Sequence, residues 1–173
     1  MCYDISFTIN VKQFADYFPD LVFDDQIKID FENAVHILGH AYGLHPIIFK
    51  NKKDENLHCK LMEWGCVPFY VQDVKAFAKQ RPAMLNARSE RILADNKSYW
   101  NKIRNRRCLI PMTGFYEHRK VAGLTKKIPY LISLKKQPCF FYPGFIQLQK
   151  LQTSMVNNRN CGPLPSSPAR LTS

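Results

Sequence analysis

HPIIFKNKKDENLHCKLMEW, residues 45–64, reads as two strands and the turn that joins them. The apolar runs His45 to Phe49 and Leu57 to Trp64 flank a polar segment, Lys50 to Asn56, which is the pattern of a β-hairpin. Toward the N-terminus, residues 2–9 (CYDISFTI) form another loosely alternating strand. Asn10 then caps a short helix with Val11, Phe14 and Phe18 on one face, ended by Pro19-Asp20. Residues 20–33 are acidic and mixed, with little regular structure expected, and Val35 to Leu38 is a short strand. Toward the C-terminus, residues 73–80 suggest a short helix stopped by Arg81-Pro82, followed by a strand at Ala83 to Leu85. Arg88 to Leu93 is a helical turn or two, and Ser98 caps a helix containing Trp100 and Ile103. Strands follow at Arg107 to Ile110, Phe115 to His118, 128–134 and 139–146, with a Pro-Met-Thr-Gly turn at 111–114. There is no internal repeat and no βαβ rhythm. The class is therefore α+β, with mainly antiparallel sheets around a barrel-like core and short flanking helices. After Ile146 the composition shifts to Gln, Ser, Pro and Asn, so residues 1–146 form one domain and 147–173 a disordered tail.

The 173 residues carry a net charge of +11, unevenly spread. Residues 1–79 hold 8 Lys/Arg against 11 Asp/Glu, whereas residues 80–136 hold 14 against 3. A basic segment interleaved with aromatic and polar residues suits a nucleic acid better than a membrane, with a merely solvated basic face as the alternative. The six cysteines have no close pairing, and no signal peptide or membrane-length apolar run is present. A reducing, cytoplasmic setting with free thiols is expected.

Several residues have the right chemistry for a reaction centre. Cys2 becomes the N-terminal residue if Met1 is removed, which sets an α-amine and a thiol on one carbon skeleton. Such a pair can form a Schiff base with an aldehyde and close it to a thiazolidine. Glu117 lies in Gly114-Phe115-Tyr116-Glu117-His118, where flanking aromatics can desolvate a carboxyl for acid/base work; otherwise it is a polar residue on the outer face of a strand. Asn86 can hold a carbonyl or an amine, or serve simply in a turn. Arg88, Arg104, Arg106 and Arg107 suit phosphate contacts. Trp64 can stack on a base or pack in the core. Glu90, two residues after Arg88, reads as a structural ion-pair partner. His36, His40 and His45 with Cys59 and Cys66 lack metal-site spacing, so no metal or cofactor is called for. His118 would point away from Glu117 on a strand.

Together, Met1-Cys2, Trp64-Gly65-x-x-Pro68, Asn86-Ala87-Arg88-Ser89-Glu90 and Arg107-Cys108-Leu109-Ile110-Pro111-x-x-Gly114-Phe115-Tyr116-Glu117 resemble the SOS-response-associated peptidase, or abasic-site-processing, family. The resemblance covers roughly residues 2–146. It implies a positively charged groove for single-stranded DNA and a Cys2 that condenses with the aldehyde of an abasic site to leave a thiazolidine crosslink. It further implies that Asn86 orients the amine and sugar, that Glu117 is the acid/base, that Arg88 and Arg107 grip phosphates, and that Trp64 lies near the bases. The peptidase label refers to removal of Met1. A monomer, nucleoid-associated when bound to DNA, completes the expectation.

Two features depart from the family. Tyr3-Asp4 stands where Gly-Arg is common, setting a negative charge in place of a cation. The later His-Arg-Met-Pro segment is absent, which predicts a truncated or frame-shifted reading frame. Two other functions are compatible with the chain. One is a non-covalent single-stranded nucleic-acid-binding module; the other is a thiol peptidase, which would need a Cys–His pair that no motif here supplies.

Overall fold

The computed structural model describes residues 3–28 and 34–147. Nine strands among them form two sheets that do not close on each other, so the expected barrel-like core is instead a pair of open sheets. β1 (Asp4–Phe7), β3 (Ala34–Leu38), β7 (Gly114–Arg119) and β8 (Ile128–Ile132) make a four-stranded sheet in the order β3-β1-β7-β8. β2 (Val22–Phe23), β4 (Leu44–Lys50), β5 (Leu57–Glu63), β6 (Arg107–Met112) and β9 (Phe140–Phe145) make the other, in the order β2-β5-β4-β6-β9. All pairings are antiparallel except β2 with β5. The short helices are α1 (Val74–Phe77), α2 (Ser89–Leu93) and α3 (Tyr99–Lys102). No helix among the described residues is long and apolar enough to cross a membrane.

The hairpin read from residues 45–64 forms in full: β4 and β5 pair in continuous register from Leu44↔Glu63 to Lys50↔Leu57. Asn10 caps as expected, but the helix that follows (Val11–Asp16) is a 3₁₀ helix closed by a capping box with Gln13. Ser98 caps α3 by accepting from the Trp100 amide. Three expectations need correction. Residues 83–85 are not a strand: Pro82, early in the segment, fixes φ for a 3₁₀ turn over Arg81–Met84. Pro111 and Met112 extend β6 rather than turning. Residues 20–28 contain β2 and a 3₁₀ turn, because Leu21 and Ile27 are buried in the core despite their acidic neighbours.

The main core gathers Phe7, Val11, Phe14, Leu21, Ile27, Ile48, Cys59 and Cys139. Phe7 is fully buried and meets Phe14 edge-on at 5.9 Å. A second cluster, Tyr99, Trp100 and Ile103, packs with Cys66, Met84, Ala87, Ile92 and Phe145 under the short helices. Burial pushes the Cys59 and Cys108 thiols up to about 12 and Cys139 to about 11, so all three are inert thiols at neutral pH.

The seam between β4 and β6 has an unusual solution to a missing donor. Their register sets Ile48 opposite Leu109 and, carried two residues on, Pro46 opposite Pro111. Neither proline has an N–H to give the ladder. The Pro111 carbonyl accepts instead from the buried His45 side chain, Nε2 to O at 2.8 Å. Burial outweighs that hydrogen bond and lowers His45 from 6.5 to about 4, so the imidazole is neutral in the fold.

The sign of the pH effect follows. The unfolded chain binds a proton on His45 below pH 6.5 and the folded chain does not, so stability falls as pH drops from 6.5 toward 4. The full loss is about 3 kcal/mol. Urea melts at pH 7 and pH 4.5 should show this loss in the wild type and a shallower pH dependence in His45→Gln. Phe7→Ala should destabilise by about 3–5 kcal/mol at either pH, read from the same melts.

Candidate functional site

The first described residues enter the fold at its centre. β1 is paired on both edges, with Asp4 opposite Leu38 and Ile5 opposite Phe115. Carried two residues toward the chain start, the β1–β7 register sets Tyr3 opposite Glu117. Glu117 is half-buried on β7 and pairs with Tyr130 of β8 on its other side. Cys2 itself lies outside the described residues, as do residues 148–173, so the tail expected there has no structural account.

The Tyr3 carbonyl accepts from the Gly39 amide at 2.6 Å. A Cβ on Gly39 would stand 2.7 Å from that carbonyl and 3.3 Å from the Trp64 ring, so only glycine allows the approach. Trp64 follows the last residue of β5 and lines a groove of about 830 Å³ together with Asn86. The groove's floor is the five-stranded sheet, with Ile47, Ile110 and Met112; its wall includes Met84, Ile92 and Phe145. Its lining is mainly apolar, with Glu63, Arg81, Asn86 and Gln147 among the polar groups. Asn86 Nδ2 is buried there with no acceptor among the described residues. That spare donor fits the role of holding a substrate oxygen. Glu117 does not line the groove, so the candidate residues fall in two places: Trp64 and Asn86 in the groove, and Glu117 on β7.

The charged neighbours divide by partner. Asp4 is only 8% exposed, and its carboxylate faces His36 Nε2 at 3.5 Å and His118 Nε2 at 3.9 Å. His36 in turn lies against the Tyr116 ring at 4.7 Å, and the Tyr116 hydroxyl donates to the Val35 carbonyl. The negative charge expected at position 4 is therefore turned into the sheet toward two imidazoles rather than outward. Alternation along β7 keeps His118 on the face opposite Glu117, as the sequence predicts.

Arg88, Arg104, Arg106 and Arg107 are all exposed. Arg106 donates to Gln147 Oε1 at 2.7 Å, Arg104 to Asn101 Oδ1 at 3.2 Å, and Arg107 to the Arg104 carbonyl at 3.3 Å. Arg88 precedes α2 in extended conformation. Glu90 was expected in an ion pair with Arg88, but among the described residues it makes none. Residues two apart do not face each other at a helix start, and the pair on that segment is Arg91 with Asp95 at 3.5 Å. Behind the groove, the Sγ of its lining residue Cys66 lies 2.9 Å from Tyr99 Oη, and burial pushes both pKa values up. Sequence reasoning missed Arg81, which was read only as a helix stop; its guanidinium pairs with Glu63 and lies 3.9 Å from the centre of the Tyr42 ring. The left-handed Tyr42 (φ 53) has no sequence signature that would have revealed this.

The motifs and the geometry can now be set against known proteins. The family model for the SOS response associated peptidase (SRAP) matches residues 1–160. The abasic site processing protein YMR114C of Saccharomyces cerevisiae is 35% identical over 109 residues, which are 62% of this chain and 28% of that protein. The abasic site processing protein YobE of Bacillus subtilis is 35% identical over 86 residues, 50% of this chain and 36% of its own length. This chain thus spans about a third of the length of those relatives. A crystal structure of a protein from Bacteroides thetaiotaomicron superposes with a TM-score of 0.68 at 26% identity, covering 83% of this chain and 59% of that one. One from Bordetella bronchiseptica does so at 0.60 and 17% identity, with 83% and 63% covered, a likeness of fold alone. Because the family model covers most of its length, the chain belongs to the SOS response associated peptidase family.

Proposed function

We propose that this protein processes abasic sites in single-stranded DNA by covalent capture through Cys2. The observation that carries the reading is the pairing of β1 with β7, Ile5 opposite Phe115, which brings the start of the chain beside the strand that bears Glu117. The relatives named as abasic site processing proteins support it. So does the burial of the other thiols described, which leaves Cys59, Cys66, Cys108 and Cys139 poor nucleophiles.

Hydrolysis of the Met1–Cys2 peptide bond frees the α-amine. The amine adds to the C1′ aldehyde of the ring-opened sugar, giving a carbinolamine, and loss of one water gives the imine. The Cys2 thiolate then attacks the imine carbon, and the nitrogen takes up the proton, closing the thiazolidine. Glu117 acts as the acid/base for ring opening and dehydration, and Asn86 holds the sugar through its spare amide donor. Trp64 stacks on a neighbouring base, and Arg88, Arg104, Arg106 and Arg107 contact phosphates. Removal of Met1 is the peptidase activity of this scheme.

Protein whose intact mass lacks Met1 should form an SDS-stable adduct with a single-stranded oligonucleotide containing one abasic site. Cys2→Ala should abolish the adduct, and Glu117→Gln should slow it about 100-fold. Mature wild-type protein that yields no adduct would overturn the covalent mechanism.

The exposed arginines favour a second reading, a non-covalent binding module indifferent to the aldehyde. Replacing Arg104, Arg106 and Arg107 together with Gln should lower the salt slope of single-strand binding by about 2 if each meets one phosphate. Equal affinity for intact and abasic strands, without adduct, would favour this module.

A further inference from the structure

Trp64 and Asn86 reach the groove from separate parts of the chain, and one cation outside every motif touches the supports of both. Arg81 opens the 3₁₀ turn that leads to Asn86. Its side chain is 16% exposed and pairs with Glu63, the residue before Trp64. The guanidinium plane lies over Tyr42, 3.9 Å from the ring centre. Tyr42 in turn occupies the space beside Gly65, the residue after Trp64: a Cβ there would be 2.8 Å from the Tyr42 ring. Leu85, the residue before Asn86, approaches the same Gly65 position at 3.3 Å. Gly65 has φ +94, so the loop takes a path other residues rarely adopt and needs outside support to keep it.

We propose that Arg81 is a positioning residue: its guanidinium clamps the Trp64 loop to the Asn86 loop and sets the two side chains in register across the groove. A lysine cannot replace it. Only a planar, delocalised cation can lie flat on a ring while its edge holds a carboxylate. The clamp is geometric and stands apart from the covalent chemistry, but its effect on rate rests on the function proposed above. Its charge is turned to Glu63 and Tyr42 rather than to open solvent, unlike that of the exposed arginines.

The test uses the full chain with Trp100→Phe, leaving Trp64 as the only tryptophan. Arg81→Lys and Arg81→Gln should shift Trp64 emission to the red and raise its quenching by acrylamide about twofold, since the loop then opens to solvent. At saturating abasic DNA, adduct formation should slow about tenfold, while the salt slope of DNA binding stays at the wild-type value. Unchanged Trp64 emission and quenching in both variants would overturn the proposal, as would a reduced salt slope, which would make Arg81 a phosphate contact. If the Arg81 variants fail to fold, Glu63→Gln and Tyr42→Leu each remove one partner and should move Trp64 in the same direction; no movement in either overturns the clamp. A wild-type chain that forms no adduct would defeat the functional reading alone, because the fluorescence still decides the clamp.

Discussion

The placement of β1 between β3 and β7 is the constraint on which the rest depends. A four-residue strand at the start of a chain would fray if it stood at an edge. Here both edges are paired and Ile5 and Phe7 are fully buried. The core needs this segment, so the chain start is held by the same burial that stabilises the fold. The capture proposed through Cys2 would start beside a strand that is held on both edges. That is what covalent chemistry at a terminus requires, because an unanchored amine samples too many positions to meet a particular aldehyde and carboxylate together.

Electrostatics follow from the same arrangement. The strand brings one carboxylate, Asp4, into a nearly buried position, where an unpaired charge would be costly. Two strands supply one imidazole each, from His36 and His118, to face it. Apart from Arg81, the cations of the 80–136 segment are exposed, and those from Arg88 to Arg107 lie around α2, α3 and the start of β6. Asp4 is thus drawn inward while most cations of that segment face solvent, where a polyanion partner could meet them.

Much of this was legible in the sequence because it is local. Asn10 and Ser98 announce their caps, and the polar turn between Phe49 and Leu57 announces the hairpin. The site motifs were readable for the same reason, being short runs of neighbours. What stayed hidden depends on residues far apart. The sheets do not close because of how distant strands pair, and Arg81 reaches Glu63 and Tyr42 only once three loops have come together. Ala83 to Leu85 was misread because apolar spacing alone cannot tell a strand from a 3₁₀ turn; Pro82 decides it by fixing its own φ. Arg88 and Glu90 are neighbours in sequence, yet the ion pair seen on that segment is Arg91 with Asp95.

The facing prolines have one more consequence. The β4–β6 register contains one recorded residue pair, Ile48↔Leu109, against seven between β4 and β5 and six between β6 and β9. Two well-bonded ribbons therefore meet along a line with few backbone bonds, bridged there by an imidazole. That line runs beneath His45, Ile47, Ile110 and Met112, all of which line the groove. The groove's floor is a seam, so its shape depends on how two ribbons meet rather than on one continuous ladder.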